Sequence, residues 1–295
     1  MQVASSSRAR IWFPIALLLT AMLSIHVGAS LAKSLFPAVG AAGAAALRLS
    51  FGTLLLLLVF RPWRQPLRQL PWKMLLGYGL SLGLMNGLFY QALATVPLGI
   101  AVALEFTGPL VLAVLGSRRP RDFLWIALAV IGLLLLVPWS QQQRGVDLVG
   151  ALFALAAGAC WALYIVFGQK AGAEHGTQTV ALGAVIAACV VVPWGVIDAG
   201  SRLLSPALLP AALSVAVLSM ALPYTLEMMA MTRMPAATFS MLMSLEPAIG
   251  ALAGMALLHE HLSPTQWLAI AAVMAASAGA ALTAPPLTAP APVAD

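Results

Sequence analysis

The chain has 295 residues, of which 62% are hydrophobic and 8% charged, against about 25% charged residues in an ordinary soluble domain. That balance excludes a soluble globular core. The formal charge of +6 does not point to nucleic acid, because the basic residues sit mainly in short loops between apolar runs, where they set orientation in a membrane.

A hydrocarbon layer about 30 Å thick needs about 20 apolar residues in helical form, and such runs fill nearly the whole sequence. In chain order they are Ile11 to Leu31, Val39 to Phe60, Met74 to Leu93, Leu98 to Gly116, Phe123 to Pro138, Leu148 to Gly168, Thr179 to Ile197, Ala207 to Met229, Ala236 to Leu258 and Gln266 to Thr283. Trp12, Trp63, Trp72, Trp125, Trp139 and Trp267 fall at the ends of these runs, where an indole keeps its ring at headgroup level. The first run follows Arg8 and Arg10, and Ser30-Leu31-Ala32 resembles a secretory cleavage site. Its removal would leave nine helices and delete the first member of the repeat described below, so it reads as a retained span. Cys160 and Cys189 lie inside apolar runs without CxxC spacing or a neighbouring histidine. They read as small apolar residues, and no metal, cofactor or disulfide framework is expected. Residues 285–295, rich in Pro and Ala, read as a short disordered tail.

Orientation follows from the lysines and arginines on alternate sides. With a cytoplasmic amino terminus, that side collects Arg8, Arg10, Arg61, Arg64, Arg68, Lys73, Arg118, Arg119, Arg121, Lys170 and Arg233, and the other side Lys33, Arg144 and Arg202. The split of 11 to 3, with Arg48 inside a span, predicts that both termini are cytoplasmic.

Two related halves of five helices are expected, residues 1–145 and 146–284. Pro97 and Pro109 in the fourth run stand 12 residues apart, as do Pro235 and Pro247 in the ninth. Asp122-Phe-Leu-Trp125 and Pro264-Thr-Gln-Trp267 each open the next helix, and Lys33 and Lys170 each end the first helix of a half. Five is odd, so the second half enters the membrane from the opposite side. The expected fold is an all-α integral membrane protein of ten transmembrane helices in two inverted five-helix repeats, with a substrate site near the midplane between them.

Ionisable groups inside spans are costly, about 2.5–3.5 kcal/mol each on insertion scales, and usually face a cavity or a partner. Glu105, Glu246, Glu227, Arg48 and His26 qualify. Glu105 precedes Pro109 by four residues and Glu246 precedes Pro247 by one. The difference of three residues is about 300° of helical rotation, so both carboxyls take similar faces. They either carry protons between the two sides in exchange for substrate or only tie helices together. Arg48 is either half of a structural ion pair with one of these acids or a substrate clamp. His26 is either a proton-carrying group or a packing histidine, and Lys33, near a helix end, can snorkel to the interface. Trp161 and Tyr164 lie deep in the sixth run, and Asn86 and Tyr224 are further buried polar groups. All four line a cavity or fill core. Gly79, Gly83 and Gly87, with Gly250 and Gly254, make smooth stripes for close helix contact.

Tyr224, Pro235, Leu245-Glu246-Pro247, Gly254, Leu258-His259-Glu260, Leu262-Ser263 and Gln266-Trp267 resemble the EamA-type half of the drug/metabolite transporter superfamily, and the pattern extends over both halves. More narrowly, the stretches 28–37, 95–109 and 171–176 look like the threonine and homoserine exporters of bacterial inner membranes. The resemblance implies ten helices in two inverted halves and proton-driven efflux of small neutral amino acids, with amino acid and protons as partners. The alternative is export of other small metabolites or drugs. Ser117-Arg-Arg-Pro120 stands where the second half carries Leu258-His-Glu-His261, so Glu260 has no counterpart and reads as a structural loop or helix-end residue. No nucleophile with its base or metal cluster marks an enzyme, and no ring of charge or carbonyl filter marks a channel.

Overall fold

The computed structural model describes residues 3–64, 70–115, 122–136, 147–175, 177–231, 233 and 242–283. Arg68, Arg118, Arg119, Arg121, Arg144, Trp139, Val146, Pro235 and the tail from 285 lie outside them. Among the described residues every regular element is helical: α1 Val3–Lys33, α2 Phe36–Phe60, α3 Trp72–Thr95, α4 Leu98–Glu105, α5 Thr107–Leu115, α6 Asp122–Leu136, α7 Leu148–His175, α8 Thr177–Ala199, α9 Leu209–Ala216, α10 Leu222–Met231, α11 Glu246–Leu258 and α12 Pro264–Thr283. Among the described residues five stretches are long and apolar enough to cross a membrane: Trp12–Lys33, Phe36–Arg64, Leu148–Gly168, Gln178–Leu204 and Pro206–Glu227.

Prolines divide the helices where the sequence places them. In the fourth apolar run, Pro109 has no N–H to offer the Glu105 carbonyl four residues back, and the run divides into α4 and α5 on either side of Phe106. In the eighth run a π-helical turn, Val217–Ala221, joins α9 to α10. There the Leu222 N–H reaches back five residues to the Val217 carbonyl, and Pro223 has no N–H at all. The carbonyls of Leu218 and Ser219 therefore lose their usual helical donors. Side chains supply replacements: Ser24 Oγ donates to Leu218 O at 2.6 Å, and Arg48 Nη2 to Ser219 O at 2.6 Å. Backbone freed inside a membrane must be satisfied within the protein, and α1 and α2 do so here.

Helix starts are capped from the sequence. Asp147 Oδ2 accepts the Gly150 N–H at 2.9 Å at the head of α7, an N-cap. Ser263 and Gln266 form a reciprocal capping box before α12, with Ser263 N donating to Gln266 Oε1 at 2.8 Å and Gln266 N to Ser263 Oγ at 3.3 Å.

Small residues face inward and branched ones outward. On α3, Gly79, Gly83 and Gly87 lie against Ile186, Ala187 and Trp194 of α8, while Leu76, Leu80 and Leu84 on the other side are exposed. Leu54, Leu58, Val59, Leu134, Leu152, Ile197 and Leu252 extend this exposed apolar belt. A water-soluble monomer would not display so much apolar surface; lipid accommodates it. α1 packs on α10 and α11, α2 on α8, α3 on α7 and α8, α4 on α11, and α6 on α12. The tightest crossing brings Gly108 of α5 onto Gly158 of α7, where a Cβ on Gly158 would stand 2.5 Å from the Glu105 carbonyl oxygen.

Candidate functional site

The interior holds a polar cluster centred on Arg48 of α2, which is 3% exposed. Its Nε donates to Ser219 Oγ at 2.7 Å, its Nη2 to the Ser219 carbonyl, and its Nη1 to Asn86 Oδ1 on α3. Asn86 is itself fixed by Nδ2 donating to Leu82 O at 2.8 Å. The guanidinium carbon lies 5.6 Å from the centre of the Tyr90 ring, and Tyr224 sits beside both Arg48 and Asn86. The anticipated ion pair of Arg48 with a membrane-embedded acid is not what the structure contains: among the described residues its acceptors are neutral. The π-helical turn supplies the reason, since it offers both a hydroxyl and a released carbonyl to the same guanidinium edge.

The three intramembrane carboxyls come from different elements. Glu105 ends α4, Glu246 begins α11, and Glu227 lies on α10. Glu105 and Glu246 are 8% and 5% exposed, whereas Glu227 is half-buried. They are near enough for the charges of Glu227 and Glu105 to act on Glu246, and Arg48 acts on Glu105 without touching it. Glu246 Oε2 has no hydrogen-bond partner among the described residues. It stands in the first turn of its helix, where the exposed N–H groups favour negative charge.

Beside this group, Tyr78 of α3 stacks on Tyr164 of α7 with ring centres 4.8 Å apart and hydroxyls 3.4 Å apart, with Tyr224 and Glu227 close by. Trp161 meets Phe106, the residue between α4 and α5, edge to face at 5.4 Å. His26 is buried on α1, and among the described residues its Nε2 has no partner. A Cβ on Gly250, one turn after Glu246, would lie 3.4 Å from His26 Nδ1, so the imidazole occupies the α1–α11 contact. The sequence reading overlooked Ser219, Tyr78 and Tyr90. For Ser219 the signal was legible, because Pro223 stands four residues later.

Lys33 does not reach out alone to an interface. Its Nζ pairs with Glu260 Oε1 at 2.8 Å, and Glu260 Oε2 accepts the Leu98 N–H at 2.8 Å. One carboxylate thus ties the end of α1 to the start of α4 from the loop after α11. Glu260 is the loop residue expected, with two defined partners. Glu260→Gln keeps an acceptor for Leu98 and removes the ion pair of side chains 21% and 13% exposed, so a loss of about 1 kcal/mol or less is expected. Glu260→Leu also strands the Leu98 N–H and should cost about 1–3 kcal/mol more. Thermal unfolding in detergent checks the order; equal shifts for the two variants would contradict it.

Within its apolar helices the chain thus encloses a guanidinium, a group of tyrosines and three carboxyls, with Glu246 in the field of the other two. Residues 148–282 match the EamA-like transporter family. The threonine/homoserine exporter RhtA of Salmonella typhimurium is 57% identical over 279 residues, covering 95% of each chain. RhtA of Escherichia coli is 57% identical over 273 residues, covering 92% of each chain. A solved crystal structure shares the fold, with a TM-score of 0.58 at 19% identity over 91% of this chain and 98% of that one. The chain belongs to the EamA-like transporter family.

Proposed function

We propose that this chain exports small neutral amino acids, threonine and homoserine, across the bacterial inner membrane in exchange for protons. The observation that carries the substrate reading is the 57% identity to threonine/homoserine exporters over 95% of both chains. The carboxyls of Glu105, Glu227 and Glu246 support proton exchange: Glu246 lies in the field of the other two, and among the described residues one of its oxygens has no partner. His26, at the contact of α1 with α11, is the nearby candidate for passing a proton. Trp161, Tyr164 and Tyr224 offer aromatic walls to cargo.

The chain threads the membrane as ten spans in two inverted halves, 1–145 and 146–284, with both termini cytoplasmic. Reciprocal packing supports this. α1, the first helix of one half, packs on α10, in the third span of the other; α3 packs on α7 in the converse arrangement. α2 with α8, α4 with α11 and α6 with α12 pair equivalent members. A two-fold axis in the membrane plane requires such reciprocity.

Inverted vesicles containing the protein are expected to take up radiolabelled threonine and homoserine when a pH gradient is imposed, and to leave glucose and a cationic drug outside. Amino-acid uptake indifferent to the gradient would refute proton exchange. Preference for the drug would transfer the cargo to another class. Reporter fusions placing the two termini on opposite faces would refute the threading.

A further inference from the structure

A guanidinium carries five N–H groups in a fixed planar fork. Three of those on Arg48 are engaged, by Ser219 Oγ, the Ser219 carbonyl and Asn86 Oδ1. One N–H remains on each terminal nitrogen, with the Tyr224 hydroxyl within reach of the guanidinium. Among the described residues no carboxylate lies within ion-pair distance of this side chain, so a buried positive charge is held by neutral acceptors alone. Such a charge in a membrane interior calls for a partner. Tyr90, against which the guanidinium lies, is 2% exposed, and its hydroxyl approaches Ser219 without completing a hydrogen bond of good geometry.

Resting on the reading of the chain as an amino-acid exporter, we propose that Arg48 and Tyr90 form the seat of the cargo's α-carboxylate, its two oxygens taken by the free N–H of each terminal nitrogen and a further bond donated by the Tyr90 hydroxyl. The fork geometry suits a carboxylate, which a guanidinium binds through two parallel N–H bonds. The edge bearing Nε is the one spent on the π-helical turn, so the turn holds the guanidinium in place and presents its remaining donors. Glu105, which senses the Arg48 charge across a gap, supplies the opposite sign for the ammonium group of the same zwitterion. A purely structural role, closing the carbonyl released by Pro223, accounts for the Ser219 bonds and for Tyr224 beside the guanidinium, and leaves the Tyr90 hydroxyl without a purpose.

The test compares two competitors against labelled threonine bound by the purified, reconstituted protein. One is unlabelled threonine. The other is threoninol, which keeps the amine and side-chain hydroxyl and carries a primary alcohol in place of the carboxylate. Wild-type protein is expected to bind threoninol more weakly by about 30-fold or more, the size expected when a buried charged bond loses its partner. In Tyr90→Phe, threonine weakens while threoninol does not, so the ratio narrows; in Arg48→Gln, which removes the charge, it collapses toward one. Equal competition by threoninol in the wild type overturns the seat while leaving amino-acid export intact, and this arm needs no variant to fold. Folded variants with the wild-type ratio also overturn it, because a packing role lowers thermal stability without moving discrimination. Failure of the wild type to bind threonine at all removes the amino-acid reading, and the seat with it.

Discussion

Glu246→Gln is expected to abolish the pH-gradient stimulation of threonine uptake in inverted vesicles while leaving threonine–threonine exchange across the same membrane nearly unchanged. An amide preserves the shape and hydrogen-bonding reach of the acid but cannot take up and release a proton at this position. Coupling energies between two ligands of one protein amount to about 1–3 kcal/mol, or about 5- to 150-fold in affinity, and the gradient effect should fall by that order. Exchange of cargo for cargo moves no net proton and survives. Glu105→Gln should have a smaller effect, because its carboxyl already lies in the field of Arg48, whereas Glu246 lies in the field of two other acids and, among the described residues, has one oxygen without a partner. Loss of exchange and gradient stimulation in equal measure would identify Glu246 as a packing residue.

Gly158→Leu is expected to remove the folded protein. A Cβ at this position meets the Glu105 carbonyl oxygen at 2.5 Å, and that oxygen belongs to backbone at the division between α4 and α5. No rotamer change relieves a backbone contact. Over-packing commonly costs about 1–3 kcal/mol even where side chains can move aside, so a branched side chain here exceeds that figure and consumes much of a typical stability of about 5–15 kcal/mol. Size-exclusion profiles and thermal unfolding in detergent check it: Gly158→Ala should unfold at a lower temperature, and Gly158→Leu should elute as aggregate. A monodisperse Gly158→Leu protein of wild-type stability would show that α5 and α7 do not cross this closely.

Much of the architecture was legible because the bilayer imposes one requirement on every segment: enough apolar residues in a row to span it. That requirement locates helical segments from composition, and the proline positions announce where helices divide. Pro109 signalled the separation of α4 from α5. The glycine stripe of α3 foretold a close helix contact, since a surface without Cβ atoms has few other uses in lipid, and the structure names α8 as the partner. What stayed hidden depends on separations that no local pattern encodes. Lys33 and Glu260 lie 227 residues apart in sequence, and nothing near either residue names the other. Arg48 read as either the partner of an acid or a clamp for substrate, because charge attracts charge. The structure instead gives it the hydroxyl and carbonyl of Ser219, available only because a π-helical turn and Pro223 coincide. Tyr78 and Tyr90 escaped notice because a tyrosine in an apolar run looks like core until its neighbours are known.

The π-helical turn at Val217–Ala221 has one more consequence. A turn closed by five residues instead of four adds one residue of register, or about 100° of rotation, to everything after it. Tyr224 and Glu227 owe their bearing to that surplus residue. A chain shortened by one position there would lose the wide turn while keeping the proline, and it would swing the Glu227 carboxyl about a quarter-turn around the axis, away from the other two acids. The irregular turn therefore works as an aiming device: one residue's worth of helical disorder keeps an acid pointed at its neighbours.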